Sequence, residues 1–120
     1  MDALFNGKTA PHKLAFMNEL ATATGNIGFR MTGSNIDQQR HVAKGSAVAS
    51  VTDAVGGFYD FSGRLIIEQA GGVFTDMYGN PVTKQTQLAI GSNGHTHQQL
   101  LDVAQQSYKL PDGSDYRGFR

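Results

Sequence analysis

The sequence predicts a mixed α/β domain, a β-sheet flanked by helices. Segments with a helical apolar period alternate along the chain with segments of period two. Single or doubled glycines punctuate their ends. Hydrophobic residues make up 39% of the 120-residue chain against 17% charged, a globular balance rather than a disordered one, so one core and one domain over 1–120 are expected. The predicted order, α-β-α-β-α-β-β-α, favours a mixed sheet covered by helices over a bundle or a sandwich.

Each element follows from local chemistry. Pro11 at a first turn, then Leu14, Met17, Leu20 and Ala21 at helical spacing, with Gly25 as a stop, predict a helix over 12–24. From 26 to 32, Ile27, Phe29 and Met31 alternate with Gly28, Arg30 and Thr32, the pattern of a half-buried strand with Arg30 on its polar face. Ser34 with Asp37 three residues on resembles a capping box, and Gly45 terminates, giving a helix over 35–44 whose apolar face is Ile36, Val42 and Ala43. Residues 46–52 alternate with β-branched content, a strand. Gly56-Gly57 then breaks the chain. Ser62 can cap a helix through Leu65, Ile66, Ile67 and Ala70; so short an apolar run also fits a buried strand, but the terminating Gly71-Gly72, whose glycines permit positive φ, favours the helix. Strands are predicted at 73–77 and 87–90 around the turn Tyr78-Gly79-Asn80-Pro81. A last helix begins at Ser92 and packs through Leu100, Leu101, Val103, Ala104 and Tyr108. Beyond Pro111 the polar, glycine-containing residues read as a loose tail over 110–120.

Composition excludes several functions. Ten Lys and Arg balance ten Asp and Glu without charge runs, which disfavours nucleic-acid and membrane-surface binding. No cysteine is present, so neither disulfides nor thiolate metal sites are available. The first eight residues lack a cationic segment followed by an apolar core, and no apolar run approaches membrane-spanning length. A cytoplasmic protein is the expectation.

Three positions carry candidate chemistry. Asp60 stands just before a predicted helix, where unpaired N–H groups and the helix dipole attract a phosphate oxygen; a cap or turn role competes. Gly33-Ser34 precedes another helix and offers either an anion cradle or a simple N-cap. His95 and His97 would share one face of an extended segment and could ligate a metal, but no third ligand stands nearby, which favours a polar loop or helix start.

Arg30-Met31-Thr32-Gly33-Ser34, Val42-Ala43-Lys44-Gly45, Tyr59-Asp60-Phe61 and Ala70-Gly71-Gly72-Val73-Phe74-Thr75-Asp76 occur in one order. Together they resemble the second half of the inositol monophosphatase family, which runs R-x-x-G-S/T, V-A-x-G, W-D-x-A-A-G and E-A-G-G-x-v-t-D. The resemblance covers roughly 27–104 and implies the fold of that family's C-terminal domain. It also implies a Mg²⁺-dependent phosphatase acting on a sugar or inositol phosphate. By position it assigns Asp60 as a metal ligand and Gly33, Ser34 and Asp53 to substrate binding. An ungapped match would instead place Tyr59 on the aspartate position and Thr52 on the acidic one. The alignment that keeps Tyr59-Asp60-Phe61 in register yields Asp60 and Asp53 and is adopted.

The family's first half supplies a metal-binding Glu and the D-P-x-D-G-T motif, and neither pattern occurs in this chain. Mg²⁺ prefers six oxygen ligands, so a solitary Asp holds it weakly. Activating water between two metals needs more carboxylates still. The chain alone is therefore expected to be inactive or nearly so. Its expected partners are a phosphorylated small molecule, a chain bearing the N-terminal half, and a second copy of itself, because a half-fold leaves apolar surface uncovered. The competing reading is a binding or assembly module that keeps the fold without the chemistry.

Overall fold

The computed structural model describes residues 2–4, 10–25, 35–53, 62–83, 86 and 88–108. Along the chain they form β1 (Asp2–Leu4), α1 (Ala10–Thr24), α2 (Asn35–Ala43), β2 (Ala49–Asp53), α3 (Ser62–Gln69), β3 (Val73–Asp76), β4 (Leu88–Ser92) and α4 (His97–Ser107). The mixed α/β class holds. The strand predicted over 26–32, the positions Tyr59 and Asp60, and the tail over 110–120 lie outside the described residues.

The strands make one sheet of order β1-β2-β4-β3. β4 is central and runs antiparallel to both neighbours: Asp53 lies opposite Leu88 in β2, and Asp76 opposite Ala89 in β3. β1 pairs parallel to β2, with Asp2 opposite Ser50. Its three residues, Asp-Ala-Leu, are too short to show a period, which is why the sequence does not announce this strand. Every residue of β4 is buried, as expected of a strand covered on both faces.

Alternation along the strands splits the core in two. Ala49, Val51, Leu88 and Ile90 pack with Phe16 and Leu20 of α1 and with Leu100, Leu101 and Ala104 of α4. Phe16 meets Tyr108 edge-on, with ring centroids 5.4 Å apart. Phe74 and Ala89 turn the other way, onto Val42 of α2, Ile67 of α3 and Val82. Thus α1 and α4 cover one face of the sheet, and α2 and α3 the other. Every residue of the stripe predicted for the last helix is buried. Among the described side chains of α1, Phe16 and Leu20 are buried, while Met17 and Ala21 are only half-buried, so of the predicted stripe Leu20 faces the core and Phe16 does so in place of Met17.

Two boundaries differ from expectation for physical reasons. Ser92 does not open the last helix: it ends β4, pairs with both Ala49 and Val73, and is fully buried. Its hydroxyl accepts the Gly94 N–H at 3.0 Å, turning the chain before α4 begins five residues later. The double glycine after α3 does two different jobs. Gly71 adopts φ +88°, the left-handed conformation that ends a helix. Gly72 instead permits close approach, because a Cβ there would strike the Ser92 carbonyl oxygen and lie 2.8 Å from Ile67 Cγ2.

Beneath α2 the packing is polar. Gln38 and Gln39 are fully buried, over the sheet face that carries Ser50 and Thr52. The Gln39 amide and the Thr52 hydroxyl have no hydrogen-bond partner among the described residues. At the end of β3, buried Asp76 organises the following turn: its Oδ1 accepts the N–H groups of Tyr78 at 2.8 Å and Asn80 at 2.9 Å. The Asp76 N–H in turn donates to the Asn80 carbonyl at 2.9 Å.

Two sets of substitutions test this packing by equilibrium urea unfolding. Gly72→Ala is expected to cost about 3 kcal/mol through overpacking. Gly71→Ala, where a Cβ meets nothing within 4 Å, should cost roughly 1 kcal/mol from backbone strain alone. The reverse ranking would contradict the close approach at Gly72. Asp76→Ala strands two N–H groups and should cost about 2 kcal/mol, whereas Asp76→Asn retains an acceptor oxygen and should cost less than half of that. Equal losses would show that the carboxylate charge, rather than the acceptor, is what matters.

Candidate functional site

The register of the sheet decides which segments meet. Since β2 and β3 both run antiparallel to β4, they are parallel to each other, and their C-terminal residues Asp53 and Asp76 reach the same edge opposite Leu88 and Ala89. α3 joins β3 through the tight turn at 70–72 and packs on it, so it runs back against that strand. Its N-terminus, Ser62, therefore returns to the Asp53 and Asp76 edge. The same logic applies to α2, which leads through 44–48 into β2 and packs on it, bringing Asn35 to that edge as well. α2 and α3 also pack side by side. Two helix N-termini and two strand C-termini thus converge.

This convergence is chemically directional. The first N–H groups of a helix have no intrahelical acceptor, and two such ends on one edge favour an anion there. In α2 the first turn also carries Asp37, half-buried, whose carboxylate accepts from Arg40 at 2.9 Å and stands 3.8 Å from His41 Nδ1. These contacts lie along the helix at i,i+3 and i,i+4 and stabilise it locally.

Of the four residues singled out by sequence, Asp53 is placed through its backbone as the last residue of β2, at the converging edge. Gly33, Ser34 and Asp60 lie outside the described residues, as does Tyr59, the alternative to Asp60. Arg30 does too.

The described carboxylates at this edge are few. Asp76 spends Oδ1 on the turn, leaving it poorly disposed as a ligand. Among the described residues no group of three or more His, Cys, Asp or Glu is disposed to hold a metal ion. The described residues by themselves therefore do not make a magnesium site, which calls for several oxygen donors around one point.

The histidine pair resolves clearly. His95 is exposed, whereas His97, the first residue of α4, is buried. His97 Nδ1 is 2.8 Å from Ser92 Oγ, and Nε2 is 2.8 Å from Thr75 Oγ1. Both ring nitrogens are occupied by hydroxyls, so neither is free for a metal. The sequence placed His97 at a helix start but gave no sign of this burial, because its partners are 5 and 22 residues away.

No helix among the described residues is long and apolar enough to cross a membrane. No protein-family model and no curated protein matches the chain. Solved structures do: an inositol monophosphatase (IMPase) from Thermotoga maritima superposes with a TM-score of 0.73 at 21% identity, over 88% of this chain and 40% of that one. An inositol monophosphatase from Anabaena (Nostoc) does so with a TM-score of 0.73 at 22% identity, over 88% of this chain and 43% of that one. An IMPase/NADP phosphatase solved with NADP and Ca²⁺ matches 99% of this chain and 43% of its own at a TM-score of 0.65 and 19% identity. The chain spans about two fifths of the length of these structures. Over that length, it has a partial inositol monophosphatase fold.

Proposed function

We propose that this chain provides the C-terminal portion of a Mg²⁺-dependent phosphomonoesterase of the inositol monophosphatase type, acting in the cytoplasm on a sugar or inositol phosphate. The observation that carries the proposal is the convergence of the α2 and α3 N-termini with the end of β2. Ser34 is covalently next to Asn35, and Asp60 precedes Ser62 by two residues, so the proposed residues belong to the segments entering that edge. In this reading Asp60 contributes one metal oxygen, while Gly33, Ser34 and Asp53 bind the substrate. When bound, the metal would neutralise phosphate charge. The remaining carboxylates come from the portion of the fold that lies outside the match, on the same polypeptide or on another.

The outer surfaces of the two helical layers support such a partner. On α1 and α4 the outward residues include Asn18, Glu19, Thr22, Gln98, Gln99 and Asp102, all exposed and polar. On α3 the exposed residues include Leu65, at 60%, and Ile66, at 41%. With Ala43 and Ala70 they line a shallow groove of about 530 Å³ beside α2, rimmed by Arg40, Lys44 and Gln69. Apolar side chains concentrated on one layer are expected where a further layer packs. We assign this face to the complementary portion of the fold. The same apolar face also supports the second reading, a binding or assembly module without chemistry.

Two experiments separate these readings. Mixing the chain with a polypeptide that carries the D-P-x-D-G-T portion is expected to release phosphate from inositol or sugar phosphates only when Mg²⁺ is present. Asp60→Asn should lower that rate at least tenfold, a loss of about 1.4 kcal/mol of transition-state stabilisation. An active assembly indifferent to Asp60→Asn removes the metal assignment, and an assembled but inactive complex favours the module. For the chain by itself, the apolar face predicts self-association. Light scattering at micromolar concentration should report a dimer or larger species, and a double Leu65→Asp, Ile66→Asp variant should shift to the monomer mass. A monomeric mass for the unsubstituted chain would contradict this.

A further inference from the structure

At the edge of the sheet opposite the converging helix starts, the His97 ring has hydrogen-bond partners that fix its chemistry. Thr75 Oγ1 donates its hydrogen to the Asp76 carbonyl at 2.7 Å, so toward His97 it can only accept. Nε2 must therefore carry the ring proton. In the neutral ring, which burial favours, Nδ1 is then a bare lone pair, and Ser92 Oγ donates to it at 2.8 Å while itself accepting the Gly94 N–H at 3.0 Å. In that state each hydroxyl is used once as donor and once as acceptor.

We propose that His97 is a proton-operated latch. Neutral, it ties the first turn of α4 to β3 through Thr75 and to β4 through Ser92; protonated at Nδ1, it repels the Ser92 hydrogen and the tie to β4 opens, while the Nε2–H bond to Thr75 is kept. A proton arriving on Nδ1 would face the Ser92 hydrogen, so the hydroxyl would have to rotate, and the cation would sit in a buried site without a counter-charge among the described residues. The groups facing the ring are the Thr75 hydroxyl from β3, the Ser92 hydroxyl from β4 and the loop that holds the Gly94 N–H. Among the described residues, the titratable side chains on the surrounding elements do not compensate. Asp76 is engaged with Tyr78 and Asn80, Asp102 is exposed and accepts from Gln98, and Glu19 of α1 and His95 are exposed. Burial also pushes the His97 ring below its ordinary 6.5.

The sign follows from proton linkage. The unfolded chain binds a proton at this histidine more readily than the folded one, so the contribution to stability is complete above 6.5 and is lost as pH falls below it. The loss stops once pH drops beneath the folded-state value. α4 supplies Leu100, Leu101 and Ala104 to the main core, so opening the latch weakens the whole domain rather than one turn.

The test is equilibrium unfolding between pH 7.5 and 5.5, for the unsubstituted chain and His97→Gln. Glutamine can place a donor toward Thr75 and an acceptor toward Ser92 but does not titrate. The folding equilibrium constant of the unsubstituted chain should fall up to about tenfold more than that of His97→Gln over this range. The other histidines cancel in the comparison. Equal pH dependence in the two proteins would overturn the latch. ¹⁵N–¹H spectra of the unsubstituted chain give a second readout that does not need the variant to fold. They should show the Nε2-protonated neutral ring at pH 7 and an His97 midpoint below 6.5. An Nδ1-protonated ring or a midpoint at or above that value would also overturn it.

Discussion

The antiparallel register of β4 with both β2 and β3 sets where every other element can begin and end. A strand paired on both edges has no freedom to slip, because a shift of one residue would turn Leu88 and Ile90 away from α1 and α4 and send Ala89 and Gly91 in their place. With that register fixed, the ends of β2 and β3 coincide. The short connections from α2 and α3 then bring two helix starts to the same edge. The candidate site is thus a property of strand pairing before it is a property of any side chain.

The two faces of the sheet are built differently, and the difference bears on function. The face under α1 and α4 is apolar throughout its core and capped by helices with polar outer surfaces. The face under α2 is mixed, with buried Gln38 and Gln39 above Ser50 and Thr52, and its helical layer presents Leu65 and Ile66 outward. Buried polar groups cost stability unless they are satisfied, so a layer that tolerates them is seldom one shaped by packing alone. It is also this layer whose helices start at the converging edge. Under the proposed function, this layer is the one covered by the complementary portion of the fold.

Much of this was legible in the sequence, and the misses have physical causes. Helices over 12–24, 35–44 and 62–70, and strands around 46–52, 73–77 and 87–90, fall within a few residues of the observed elements because apolar period and glycine punctuation are local signals. β1 was silent since three residues cannot display a period. Ser92 resembled a helix cap in sequence, but its pairing with Ala49 and Val73 is a long-range fact that overrides local preference. In sequence Gly72 looks like part of a helix stop, yet what excludes a side chain there is a carbonyl 20 residues downstream. For the candidate site, the arrival of two helix starts at one edge followed from the element order and the register together. The proposed roles of Asp60, Gly33, Ser34 and Asp53 all rest on the motif resemblance, and the register adds only that Asp53 ends β2 at the converging edge.

Cross-strand nuclear Overhauser contacts in solution report whether pairing with β4 aligns the ends of β2 and β3. Contacts are expected to link Ala89 to Thr52 on one side and to Asp76 on the other, with Asp53 facing Leu88. Contacts displaced by one residue on either side, or absent between β2 and β4, would separate the two edges and contradict that alignment.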